Sequence, residues 1–129
     1  MFENIWYPKK EEIIEWAYDN ESSIPCQDWE LALFNEDDFE HIELLCSFIE
    51  DKHCKKNEFF LGTLYVLTGD TVAYENEKSI YKLGRILNDL KGNYQSQSII
   101  QWIERSEKLI NFPKLYSYKF WGLDSAYVY

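Results

Sequence analysis

Apolar residues recur at helical spacing along most of this chain. In residues 37–53 Phe39, Ile42, Leu45, Cys46 and Ile49 fall at positions i, i+3, i+6, i+7 and i+10, and acids occupy the opposite face, which predicts an amphipathic helix. Similar patterns predict a central, most buried helix over 57–69 and amphipathic helices over 8–20, over 76–92 and from Ser96 or Ser98 onward, the last with Ile99, Ile100, Trp102, Ile103 and Ile110 as its apolar set.

Two shorter segments have weaker patterns. The segment from Pro25 to about Phe34 fits either a strand or a helix, because its apolar residues satisfy both spacings. Proline at its start and the early acid Asp28 favour the helix. Pro113 can begin a short last helix toward Trp121.

These segments together predict the fold class. Gly69 and Gly92 are placed as C-terminal glycines of two helices. We expect an all-α, single-domain fold over residues 1–129, a helical bundle or stack of about six to seven antiparallel helices. A HEAT-like stack of hairpins stays open, since Leu61-Gly62-x-Leu64 resembles Leu83-Gly84-x-Ile86, but two weak copies do not establish a repeat.

Composition agrees with one folded domain in the cytoplasm. The 129 residues are 46% apolar and 18% aromatic, enough to build a core and unlike a disordered chain. The first 24 residues lack the apolar run of a signal peptide, and no stretch reaches the length of a membrane span, so we expect no membrane partner. Three cysteines, an odd number, favour reduced thiols and a cytoplasmic location.

Charge is distributed unevenly along the chain. The net charge is −10, yet residues 1–51 hold fifteen Asp and Glu against Lys9 and Lys10, a balance of −13, whereas residues 52–129 have a balance of +3. Such a field repels nucleic acid and steers cationic partners toward the acidic half. Nucleic-acid binding is therefore not expected.

No constellation in the sequence predicts catalysis, a cofactor or a metal. Cys46, His53 and Cys54 lack the paired ligand spacing of a structural zinc site. Asp37 and His41 stand four residues apart and could orient a histidine for acid–base work, but no nucleophile motif or phosphate-binding loop accompanies them. We therefore expect a protein that is not an enzyme and binds no cofactor.

Two surfaces are candidates for binding a protein. An acidic ridge with almost no compensating lysine follows the first predicted helix and its continuation, and an aromatic cluster occupies the last fourteen residues, where Tyr and Trp could anchor an interface. The ridge could equally be a solvated helix surface. The candidate contact residues are Glu12, Glu15, Asp19, Glu36, Asp37, Asp38, Glu40, Tyr116, Tyr118 and Trp121.

An acidic surface beside aromatic anchors suits a binder of a basic protein. One hypothesis is an inhibitor that covers the active site of a basic enzyme such as a nuclease, whose own charge reflects its polyanionic substrate. A second is an acidic DNA mimic or regulatory adaptor, which would use the same carboxylates spaced like phosphates. Binding to one partner or to many DNA-binding proteins would separate the two hypotheses.

The whole chain resembles small acidic immunity proteins of bacterial toxin systems, in particular those of contact-dependent growth inhibition. The resemblance lies in size, acidity, aromatic content and the stretches Glu36-Asp37-Asp38-Phe39-Glu40 and 116–129. It implies that the chain neutralises a cognate toxin C-terminal domain, with a basic RNase as the leading candidate, by stoichiometric binding inside the cell.

Overall fold

The computed structural model describes residues 2–33, 39, 41–74 and 76–115. Their regular structure is entirely helical, which confirms the all-α prediction for this part of the chain, although it contains five α-helices and not six to seven. The α-helices are α1 (Lys10–Ala17), α2 (Ile42–Glu50), α3 (Asn57–Ala73), α4 (Glu77–Leu90) and α5 (Gln97–Asn111). Two short 3₁₀ helices span Trp29–Leu33 and Pro113–Leu115, and the predicted continuation of the second toward Trp121 lies outside the described residues.

The α3 helix lies at the centre of the fold, as its nearly continuous apolar sequence predicts. It contacts α2, α4, α5 and the first 3₁₀ helix, and ten of its seventeen residues are buried. The hydroxyls of Thr63 and Thr68, both fully buried, donate to the carbonyl oxygens of Phe59 and Leu64, four residues earlier. This back-bonding pairs the two buried threonine hydroxyls within α3 itself.

A buried polar network joins α3 to α5. The indole N–H of Trp102 donates to the Leu64 carbonyl oxygen at 3.1 Å and to the Thr68 hydroxyl oxygen at 3.0 Å. The Ser106 hydroxyl donates to the same Thr68 oxygen at 3.2 Å. Because these polar atoms pair with one another, the two helices meet over a contact that is largely apolar yet contains no unsatisfied member of this network.

The amphipathic patterns of α4 and α5 predict these helices closely. Asn76 caps α4, with its side-chain oxygen accepting a hydrogen bond from the Ser79 N–H, and Gly92 follows the helix with a φ of +82°. Ser96 precedes α5 in an extended conformation. The buried stripes are Leu83, Leu87 and Leu90 on α4 and Ile99, Trp102, Ile103 and Leu109 on α5.

Other predicted boundaries are wrong. The central helix does not end at Gly69 but continues to Ala73, because Gly69 is buried among neighbouring helices and packing outweighs the weak helix propensity of glycine. The helix predicted over 8–20 ends at Ala17, and Tyr18 leaves the helical conformation. The helix predicted over 37–53 is shorter at both ends, since Phe39 has a φ of 49° and α2 spans only Ile42–Glu50.

The predicted helix from Pro25 to Phe34 is also wrong for most of its length. Asp28 has a φ of 61°, a left-handed conformation that cannot continue a right-handed helix. Only the 3₁₀ helix Trp29–Leu33 forms after it, burying Trp29 and Leu33. Here the aromatic anchor at position 29, and not helix periodicity, determines the path of the chain.

Two tryptophans hold the irregular N-terminal segments to the core. The indole N–H of Trp16 donates to the Ser23 carbonyl oxygen at 3.0 Å, and that of Trp29 donates to the Ile5 carbonyl oxygen at 2.7 Å. The two rings lie edge to face with centroids 4.8 Å apart. Further ring contacts are made by Phe2, Phe59 and Phe60.

Buried apolar side chains from all five α-helices and the first 3₁₀ helix belong to one core. Among the α-helices of the described ranges, none combines the length and apolar character that crossing a membrane requires.

Candidate functional site

Only part of the predicted binding surface falls on described residues. The structure describes Glu12, Glu15 and Asp19. The residues that lie outside the described ranges are Glu36, Asp37, Asp38, Glu40, Tyr116, Tyr118 and Trp121. Their contribution to a binding surface stays a prediction.

Glu12 organises the start of α1. Its carboxylate accepts hydrogen bonds from the backbone N–H of Lys9 at 2.8 Å and from the backbone N–H of Glu3 at 3.0 Å. These two bonds hold the pKa of the Glu12 carboxyl below its usual value. A carboxylate that closes the first turn in this way is a helix cap, and a partner would compete with the cap for its oxygens.

Asp19 does not belong to a helix ridge. The sequence places Glu12, Glu15 and Asp19 on one face, but α1 ends at Ala17, so Asp19 lies in the following turn. Its carboxylate accepts from the Ser22 hydroxyl at 2.6 Å and from the Glu21 N–H at 3.1 Å, and both bonds lower the pKa of the carboxyl. The ridge predicted for this helix is therefore shorter than the sequence spacing suggests.

The Lys56 side chain caps the C-terminal end of α1. Its ammonium donates to the carbonyl oxygens of Trp16 (2.7 Å) and Asp19, and lies 4.4 Å from the centre of the Trp16 ring. A cation at a helix C-terminus pairs with carbonyls that lack helical partners and with the negative end of the helix dipole. Burial lowers the pKa of this ammonium. Lys56 thus belongs to residues 52–129, whose net charge is positive, and caps a helix of residues 1–51, whose net charge is negative.

On α1 and in the turn after it, the other exposed carboxylates are those of Glu11, Glu15 and Glu21. Glu11 and Glu15 are four residues apart and so share one face of the helix. Nearby in sequence, the Lys9 ammonium is already paired with the Glu3 carboxylate at 2.8 Å. Of the two lysines in residues 1–51, one is therefore engaged by an acid of the same segment, and the acidic character of α1 persists at its surface.

The same part of the chain has exposed aromatic and aliphatic side chains, and none of them was among the candidate residues predicted from the sequence. Trp6 and Tyr7 lie in the segment before α1 and are 46% and 78% exposed. Ile24 and Leu31, later in the same region, are 44% and 47% exposed. A signal for Trp6 and Tyr7 was present, because they lie outside every periodic apolar stripe and so have no helix face to bury them.

The described residues include few side chains that could bind a metal ion or take part in catalysis. They contain no group of three or more His, Cys, Asp and Glu that could hold a metal ion. The three cysteines are free, Cys46 and Cys54 are buried, and burial raises the pKa of the Cys46 thiol to about 12, which disfavours the reactive thiolate. His41, half-buried, directly precedes α2, while its predicted companion Asp37 lies outside the described residues.

Comparisons of this chain with protein-family models, with curated proteins and with solved structures each found no match.

Proposed function

We propose that the chain is an immunity protein that binds and neutralises a cognate basic toxin C-terminal domain, with an RNase as the leading candidate. It acts by stoichiometric protein–protein binding, without catalysis or a cofactor, and its place of action is the cytoplasm. The HEAT-like arrangement of hairpins stays a prediction about the scaffold.

One observation carries the proposal: the acidic half of the chain retains exposed carboxylates that are close in sequence to exposed aromatic rings. Glu11 and Glu15 project from one face of α1, and Trp6 and Tyr7 lie in the segment before it. Carboxylates can pair with the Lys, Arg or His side chains of a nuclease active site, while rings bury area around them at low entropic cost. A basic protein is the partner that this combination fits.

The direct test is co-purification with the product of the reading frame immediately upstream. We expect the two proteins to co-elute at high salt when the C-terminal part of the upstream protein is tagged, and that part to be toxic when expressed alone. Absence of a stable pair and absence of toxicity would overturn the proposal. Binding to many unrelated DNA-binding proteins would instead support the DNA-mimic or adaptor function.

Charge reversal tests which acids contribute. The double variant Glu11→Lys/Glu15→Lys should slow association with the toxin domain, most clearly at low salt, because steering by the exposed acids is lost. Glu58→Lys/Glu104→Lys is the matched control, since it changes the net charge equally at two exposed acids on α3 and α5. Equal effects of both double variants would show that only net charge matters.

A second double variant tests the part of the ridge outside the described residues. Reversal of Asp37 and Asp38 should also weaken binding, mainly through slower association at low salt. Unchanged affinity and unchanged salt dependence would remove these two residues from the proposed interface.

A further inference from the structure

The outward face of α4 borders an open cavity of about 700 Å³. Glu77, Tyr81, Gly84 and Arg85 line it from α4, and Ile110 and Pro113 line it from the end of α5 and the second 3₁₀ helix. Tyr81 is 69% exposed although its ring is large and mostly apolar. This face is separate in sequence from the acidic surface of α1.

Charges of opposite sign stand symmetrically about Tyr81. Glu77 lies four residues before it and Arg85 four residues after it, so the three side chains share one helix face. Neither the Glu77 carboxylate nor the Arg85 guanidinium forms a hydrogen bond or ion pair with another residue of the described ranges. The face therefore presents an acid one turn before an exposed ring and a base one turn after it, with the exposed acid Asp89 a further turn beyond Arg85.

We propose that α4 binds α4 of a second copy of this chain in an antiparallel, two-fold symmetric contact centred on Tyr81. In that arrangement a residue four positions before the centre lies opposite the residue four positions after it in the other copy. Glu77 of each copy then faces Arg85 of the other, and the two tyrosine rings meet at the axis. Such a self-complementary pattern is what an isologous dimer requires.

Gly84 and the neighbouring apolar residues permit close approach of the second helix. A Cβ placed on Gly84 would meet nothing within 4 Å, so the helix surface is low at that point and open to a partner. Ile110 and Pro113 provide apolar area beside the contact. The area available on two short helices is small by the standard of permanent dimers, so we expect a weak association that depends on concentration.

Sedimentation equilibrium of the full chain, up to about 1 mM, tests the dimer. Glu77→Arg and Arg85→Glu should each raise the dimer dissociation constant about tenfold or more, because either change places two like-charged pairs across the axis.

Combining the two reversals should restore the contact. In an equimolar mixture of the single variants, the Glu77→Arg chain carries two positive charges on this face and the Arg85→Glu chain carries two negative ones. Both pairs across the axis are then of opposite sign, and association should return. A single chain with both reversals should also regain association, because it exchanges the two charges and keeps the pattern self-complementary.

Matched controls separate the contact from net charge and from folding. Glu58→Arg makes the same exchange at an exposed acid in the first turn of α3, and Lys52→Glu removes an exposed cation outside α4. Both should leave the dissociation constant unchanged, and all variants should retain the far-ultraviolet circular dichroism of the wild type.

The inference does not depend on the proposed toxin partner. A full chain that stays monomeric at about 1 mM would overturn it. Dimerisation that is unaffected by the single reversals, or that is not restored by their combination, would overturn the antiparallel geometry.

Discussion

Residues 2–33 and residues 76–111 are organised by different interactions. The first region contains one eight-residue α-helix and long irregular segments, held by indole N–H bonds from Trp16 and Trp29 to distant carbonyls. The second contains α4 and α5, whose buried stripes repeat every three or four residues. A few aromatic anchors stabilise the former, whereas repeated aliphatic contacts, together with the one buried indole of Trp102, stabilise the latter.

The contrast shows where stability is concentrated. In a helix with a regular apolar stripe, truncation of one side chain leaves the neighbouring apolar residues of the same face to hold the helix to the core. In an irregular segment a single anchor carries both the apolar burial and the hydrogen bond that fix the chain path. Substitutions at anchors should therefore open their segments selectively.

The largest effect is expected at Trp29. Trp29→Ala removes a fully buried ring and the hydrogen bond to the Ile5 carbonyl, and should lower the free energy of unfolding by about 3–5 kcal/mol. Leu87→Ala on α4, also fully buried, should cost about 2–4 kcal/mol. Chemical unfolding measures both changes.

Hydrogen exchange then distinguishes the two variants. Residues 2–9 should exchange faster in Trp29→Ala under native conditions and not in Leu87→Ala, because only the first substitution removes their anchor. Similar exchange of residues 2–9 in both variants would show that the two regions do not differ in this way.

A smaller loss is expected at Lys56, which reaches from one sequence half to the other. Lys56→Met keeps much of the side-chain volume but removes the donor to the Trp16 and Asp19 carbonyls, and should cost about 1–2 kcal/mol. Lys55→Met, at the neighbouring exposed position, should change the free energy of unfolding by less than about 0.5 kcal/mol. Thermal and chemical denaturation of both variants provide the test, and equal values would contradict the capping function.

Within the helical region, two glycines should respond in opposite directions. Gly84→Ala should raise the free energy of unfolding by about 0.5–1 kcal/mol, because the site is helical and a methyl group there meets open space. Gly92→Ala should lower it by about 1 kcal/mol, because φ at Gly92 is +82°. Denaturation at dilute concentration, where the chain is monomeric, measures both. Changes of the same sign would contradict this assignment.

The smallest effect is expected at the hydrogen bond from the Tyr18 hydroxyl to the Asp51 carboxylate, 2.7 Å long. It raises the pKa of Tyr18 to about 12 and holds the pKa of Asp51 below its ordinary value of 3.8. The Asp51 contribution is present above the unfolded-state pKa and is lost as pH falls through the lowered folded-state value. The Tyr18 contribution is complete below its ordinary pKa of 10.0 and is lost as pH rises toward about 12.

Tyr18→Phe should therefore lower the thermal midpoint slightly at neutral pH, and the difference from the wild type should shrink at both extremes. Tyr74→Phe, at a position 80% exposed, is the control and should show no difference at any pH. A Tyr18→Phe difference that is constant from about pH 3 to pH 11 would contradict the assignment.

The same contrast explains which elements the sequence could predict. The α4 and α5 boundaries follow from Asn76, which caps α4, from Gly92, which follows it, and from Ser96, which precedes α5 in an extended conformation, because these local signals agree with a regular stripe. At Asp28 and Phe39 the chain takes positive φ values that no periodicity signals. Such positions depend on tertiary anchors, which become visible only when distant residues are brought together.

The candidate site was predictable to a lesser degree. Of the two exposed acids of α1, Glu15 was among the predicted contact residues and Glu11 was not, although both face away from Ile13 and Ala17. The local hydrogen bonds of the Glu12 and Asp19 carboxylates could not be predicted, because they depend on where α1 begins and ends. Exposed Trp6 and Tyr7 were likewise missed, although their position outside every periodic apolar stripe indicated that no helix face would bury them.

The hydroxyl of Thr68 bears on folding specificity. An apolar helix pair could slide by one turn and bury nearly the same area, leaving several alignments of similar energy. Trp102 and Ser106, four residues apart on α5, both donate to the Thr68 oxygen. A shift by one turn would therefore leave buried donors without an acceptor. One threonine therefore sets the longitudinal register of α5 on α3, and Thr68→Val should yield a protein with native helix content but heterogeneous packing.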